Sequence, residues 1–170
     1  GALTAIRQIA EMQVDVPMLA MTHCDASKLA KQHGKKSEYA LCAAQWHKEL
    51  SYKDDFFGDG LKYDNDFNME FGYTPPYQAA ESSAALLVWK DAFERANSFD
   101  TEKVRDALAK TDMQTFYGNI KFGSGGQNTA KPMVLFQVRC EGDTCENRLV
   151  APTKWASHKL VHPVPKWSER

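Results

Sequence analysis

Apolar side chains recur at Leu3, Ile6, Ile9, Ala10 and Met12, close to an i, i+3, i+7 spacing, and predict an amphipathic helix over Ala2–Met12. Gly1 and Ala2 offer no side-chain oxygen to its first N–H groups, so this helix starts uncapped. The apolar run Val16–Met21 predicts a buried strand with Pro17 near its first position. Asp25 then caps a short helix, Ala26–His33, which stops at Gly34. Tyr39–Ala44 forms a second buried run. Helix, strand, helix, strand with short connections is the grammar of an α/β fold, with parallel sheets covered by helices.

Trp46–Gly58 is rich in aromatic and charged residues without a period and predicts a long ordered loop. Tyr63, Phe67 and Phe71 share one helix face that ends at Gly72 and the Pro75-Pro76 pair, the best candidate for a hinge or crossover. Tyr77–Ala96 predicts a long helix, apolar around most of its circumference and therefore largely buried. Asp100 caps a further helix with Val104, Ala107 and Leu108 facing inward. Asn119–Phe122 reads as a strand entering the turn Gly123-Ser-Gly-Gly126. Met133–Arg139 and Glu146–Val150 read as a hairpin around Glu141-Gly-Asp-Thr144, followed by a proline-punctuated tail.

Charge narrows the functional classes. The 170 residues carry 21 Lys and Arg against 22 Asp and Glu, a balance that excludes a polybasic nucleic-acid binder. With 43% hydrophobic residues the chain can close one sizeable core or two small lobes. Its longest charge-free windows, such as Val16–Cys24 and Phe71–Ala80, fall short of the roughly 18 apolar residues a spanning helix needs.

The four cysteines fall into two groups. Cys140 and Cys145 flank the hairpin turn, where a cross-strand pair would bring their Cβ atoms together. Cys24 and Cys42 would close a loop that the chain-entropy model credits with roughly 3 kcal/mol. Two disulfides in an oxidising compartment is one reading, and four structural thiols is the other. His23-Cys24-Asp25 lacks metal-ligand spacing, so no metal is expected.

Candidate chemistry is sparse. Gly123-Ser-Gly-Gly-Gln127 could cradle a phosphate, but a strand follows it where a helix would be needed, which makes a plain turn the simpler reading. Asp54-Asp55 and Asp64 with Asp66 could serve acid–base work, yet such pairs are ordinarily solvated. His23 and His47 each follow a predicted strand. In an open parallel sheet ligands bind at the carboxyl ends of strands, which turns attention to Thr22-His23 and Gln45-Trp46.

The order of short motifs is more specific. Ala44-Gln-Trp46, Leu50-Ser-Tyr-Lys-Asp-Asp-Phe-Phe-Gly58 and Phe71-Gly-Tyr-Thr-Pro-Pro-Tyr-Gln-Ala-Ala80 are followed by Ala92-Phe-Glu-Arg-Ala-Asn-Ser98 and Val104-Arg-Asp-Ala-Leu108. Thr115-Phe-Tyr-Gly118, Gly126-Gln-Asn128, Lys131-Pro-Met133 and Pro163-Val-Pro-Lys-Trp167 complete the series. Together these stretches resemble the C-terminal half of the type I periplasmic solute-binding proteins, in the branch that serves branched-chain amino-acid ABC transporters.

The resemblance implies two α/β lobes joined by crossovers and closing on a small-molecule ligand, an amino acid or a related polar molecule. It places residues 1–73 in part of the second lobe, 74–128 in a return to the first, and 129–170 in a final return with the hairpin and tail. Thr22 and His23 match the strand end that contacts the ligand's amino group in the family, often with a carboxylate. Gln45 and Trp46 match a second cleft-lining strand end, and Tyr77 and Glu81 open the helix after the crossover. The implied partners are the membrane subunits of the transporter and the missing N-terminal portion of the same protein, with a periplasmic or extracellular location. The mechanism is binding, not catalysis, with no cofactor. The same fold also serves as the ligand-sensing extracellular domain of receptors.

Overall fold

The computed structural model describes residues 1–22 and 26–170 and resolves into two compact units, one of residues 1–44 and 133–170 and the other of residues 45–132. The fold is α/β.

In the first unit α1 (Ala2–Glu11) begins without a side-chain cap, as the bare Gly1 foretells, and buries Ile6. It packs on α2 (Ala26–His33), which lies against the sheet through Leu29. The sheet runs in the order β1 (Ala20–Met21), β2 (Leu41–Ala44), β7 (Val134–Glu141), β8 (Thr144–Ala151). β1 and β2 are parallel, and the C-terminal hairpin adds to β2 antiparallel. Leu41, Cys42, Val134, Phe136, Val138 and Leu149 form the mostly aliphatic core of this unit's sheet.

Two expectations for this unit need correction. Val16–Met21 is no buried strand: only Ala20 and Met21 pair, at the sheet edge, and Met18 is 46% exposed. The segment before them is tied to the tail instead, through Val164 N–H to the Pro17 carbonyl and the Trp167 indole N–H to the Val14 carbonyl. A run of apolar residues with a second strand on one side only has nothing to bury its other flank. The hairpin turn is also tighter than read. The strands continue to Glu141 and from Thr144, so only Gly142 and Asp143 connect them, with Gly142 at φ +61°. In that register Cys140 lies opposite Cys145, and the expected disulfide joins them. The Cys24–Cys42 pairing involves Cys24, outside the described residues.

The second unit has no large sheet. Its segment 46–59 contains the two-residue strands β3 (Lys53–Asp54) and β4 (Gly58–Asp59). α3 (Gly60–Phe71) starts on Asp59, whose carboxylate accepts the Lys62 N–H, and ends on Gly72 in the left-handed region at φ +75°. α4 (Tyr77–Ala96) and α5 (Thr101–Ala109) pack through Ala92, Val104 and Ala107, and Asp100 caps α5 by accepting the Lys103 N–H. β5 (Asp112–Thr115) and β6 (Gly118–Lys121) form a hairpin whose two-residue turn is Phe116-Tyr117.

α4 departs from its sequence reading. It buries a single stripe, Ala80, Ala84, Val88 and Ala92, while Leu86 and Trp89 stay exposed. The spacing of that stripe at every fourth position is that of one helix face. The remaining apolar side chains are left for whatever else touches the helix.

Candidate functional site

The centre of the 45–132 unit is aromatic. Phe116, fully buried at the hairpin turn, stacks on Tyr63 at 4.2 Å between ring centroids and meets Phe57 at 5.0 Å and Trp46 at 6.0 Å. The cluster is fastened by polar bonds as well as packing. The Trp46 indole N–H donates to the Phe116 carbonyl at 3.2 Å, and the Phe116 N–H donates to the Asp54 carboxylate at 2.7 Å. Asp54 also receives the Phe56 and Phe57 N–H groups. Asp54 is therefore a loop-closing acceptor. Asp64 and Asp66 pair with Lys48 and Lys62. Gly123–Gln127 is a closed turn, with Gly126 N–H on the Gly123 carbonyl and Gly123 N–H on the Gln127 carbonyl.

Beside this cluster lies a polar group of four side chains. Tyr77, half-buried, opens α4, and Glu81 stands one turn later. Tyr117 projects from the hairpin turn and is 7% exposed. Lys131 sets its amine 3.4 Å from the centre of the Tyr117 ring and donates to the backbone carbonyl of Gln45. Burial pushes the Lys131 amine down to about 7, with the Glu81 carboxylate pulling it the other way. Burial likewise raises the Tyr117 phenol well above its ordinary range, reinforced by Glu81 and Tyr77. Glu81 and Tyr117 also border a cavity of about 620 Å³ whose wall is mostly apolar, formed by Ala84, Val88 and Trp89 of α4 and by Ile120 and Phe122 of the hairpin. One carboxylate, one amine and two phenols beside an apolar wall suit a small polar molecule with an apolar portion.

The residues singled out in the sequence are thus distributed unevenly. Gln45, Tyr77 and Glu81 share the neighbourhood of Tyr117 and Lys131. Trp46 is 4% exposed and spends its ring and its N–H on the aromatic core. Thr22 follows β1 in the other unit and is exposed, and His23 lies outside the described residues. His47 is half-buried; burial pushes its imidazole down, while Glu49 pulls it up. Sequence reasoning missed Tyr117 and Lys131 as site residues, although both lie in the quoted motifs. The available signal was Gly118: at φ +141°, it stands where a Cβ would collide with the Lys131 side chain.

Comparison with known proteins agrees with this architecture. The periplasmic binding protein family matches residues 1–144. A leucine-binding protein of Thermotoga maritima superposes with a TM-score of 0.69 at 21% identity, over 89% of this chain and 42% of its own. A periplasmic binding protein of Burkholderia mallei gives 0.71 at 17% identity, over 93% and 42%. The closed form of a leucine-, isoleucine-, valine-, threonine- and alanine-binding protein of Brucella ovis gives 0.70 at 12% identity, over 96% and 44%. The chain spans less than half the length of each of these relatives, and no described helix is long and apolar enough to cross a membrane. By the match over most of its length, the chain belongs to the periplasmic binding protein family.

Proposed function

We propose that this chain forms part of the extracytoplasmic substrate-binding subunit of an ABC importer, which captures an amino acid or a related small polar molecule between two lobes. The observation that carries the reading is the gathering of Gln45, Tyr77 and Glu81 around Tyr117 and Lys131, in a chain of this family. In this reading Glu81 and the Tyr77 hydroxyl contact the polar end of the ligand, Gln45 lies beside them, and Trp46 holds the aromatic core on which they rest. Thr22 and His23 supply ligand contacts from the other lobe.

The packing favours lobe boundaries at Ala44/Gln45 and Pro132/Met133 over boundaries near Tyr73 and Asn128, because residues 45–73 share their core with Phe116. The rest of the first lobe is supplied by the portion of the relatives' length that this chain does not span. A ligand that touches both lobes shifts the protein toward a closed form, which the membrane subunits recognise. The location is periplasmic or extracellular, and no step of the cycle is catalytic.

The test is a thermal-shift panel of amino acids, amides and small carboxylates on the intact protein that carries this chain. A true ligand at a hundredfold excess over its Kd stabilises by about 2.7 kcal/mol. Glu81→Gln should abolish most of that shift. A panel in which no compound moves the melting temperature would remove the proposal.

A further inference from the structure

The chain enters the 45–132 unit at Gln45 and leaves it at Pro132. Although 86 positions separate Lys131 from Gln45, the Lys131 amine bonds to the Gln45 backbone carbonyl. We propose that Lys131 is a clamp that holds the place where the chain leaves this unit against the place where it enters. The inference concerns this unit alone and stands whether or not the ligand reading holds.

The clamp is built from both sides. Tyr117 places its ring face 3.4 Å from the amine and closes that side of it off from water. Gly118 leaves room for the lysine stem, since a Cβ at that position would fall inside contact distance of the Lys131 Cδ and the φ of +141° suits only glycine. The groups that face the amine are the Gln45 carbonyl from the incoming segment, Tyr117 from the β5–β6 turn, and Glu81 from α4, with Tyr77 of α4 acting on Tyr117. A backbone carbonyl fixed in this way cannot drift without leaving a half-buried amine unpaired.

This arrangement also couples the clamp to pH. Burial lowers the seated amine to about 7, while a Lys131 released into water would keep its proton into the ordinary lysine range near 10.5. Protonation therefore favours release. The clamp is loosest below about pH 7 and tightens as pH rises through that value.

The experiment is a pH titration by NMR of the 170-residue chain, following the Lys131 Cε and its protons together with the Gln45 carbonyl carbon. The expected result is an upfield shift of the Lys131 ε protons by the Tyr117 ring and one titration step near pH 7, which the Gln45 carbonyl follows. Lys131→Met should erase the step at Gln45. Lys131→Arg, charged at every pH used, should leave the Gln45 carbonyl at its acidic-side shift throughout. A Lys131 that titrates near 10.5 at an ordinary chemical shift overturns the clamp. So does a Gln45 carbonyl that ignores the Lys131 titration or keeps its step in Lys131→Met. If Lys131→Met fails to fold, the wild-type titration decides by the same two criteria.

Discussion

In the unit of residues 1–44 and 133–170, the fully buried Gln137 amide donates to the Tyr39 and Val161 carbonyls and accepts the Val161 N–H. In the unit of residues 45–132 the comparable post is held by an amine, Lys131, between a carbonyl and a ring. The first unit satisfies its interior with a neutral group that has no pH dependence, seated in a sheet of mostly aliphatic side chains. The second uses an ionisable group beside an aromatic cluster and an open apolar wall. Neutral buried amides specify a structure, whereas a buried amine makes the structure answer to its surroundings.

That contrast can be broken most forcefully at the aromatic centre. Phe116→Ala should cost about 3–5 kcal/mol in urea unfolding, because the ring is fully buried and touches Trp46, Phe57 and Tyr63. If the loss were under about 1 kcal/mol, the cluster would not be the core of its unit.

Gln137→Leu should cost about 2–3 kcal/mol, by stranding the Val161 N–H and the two carbonyls it joins. That loss should be the same at pH 6 and pH 9. A loss that changes with pH would spoil the contrast between the units.

Lys131 should supply the pH dependence. Unfolded, it keeps its proton to near 10.5, whereas folded it does so only to about 7. Between those values the unfolded chain binds more protons, so stability should rise with pH from 7 to 9. The slope from one group is at most about 1.4 kcal/mol per pH unit. Unfolding midpoints of the wild type and Lys131→Met across that range should diverge; parallel curves would place the amine in water. The smallest effect belongs to a helix cap: Asp100→Ala should cost about 1 kcal/mol by releasing the Lys103 N–H, with no dependence on Lys131.

Much of the local structure was legible before any fold was known. The bounds of α4 and the Asp100 cap of α5 follow from periodicity and capping chemistry, which act within a few residues. The cross-strand partnership of Cys140 with Cys145 was legible for the same reason, because a hairpin's register is set by its turn. Depth of burial was not. Val16–Met21 and Tyr39–Ala44 are both short apolar runs, yet one lies at an edge and the other holds the core. Composition cannot say how many neighbours a strand will have.

The candidate site divides in the same way. Gln45 and Tyr77 could be singled out because they sit in motifs that resemble a known family, and Glu81 because it follows Tyr77 by one helical turn. Lys131 lies in such a motif too, but nothing near it in the chain marks it, and its role arises because the fold sets it over Tyr117 and against a carbonyl 86 positions earlier. The sequence by itself determined the helices, the Asp100 cap, the cross-strand pairing of Cys140 with Cys145 and the family, since each depends on interactions between near neighbours or on motif order. Only the tertiary structure decided which apolar faces are covered, that Trp46 is core, and that one lysine loses its water. Desolvation is a property of everything packed around a group, and no stretch of sequence contains it.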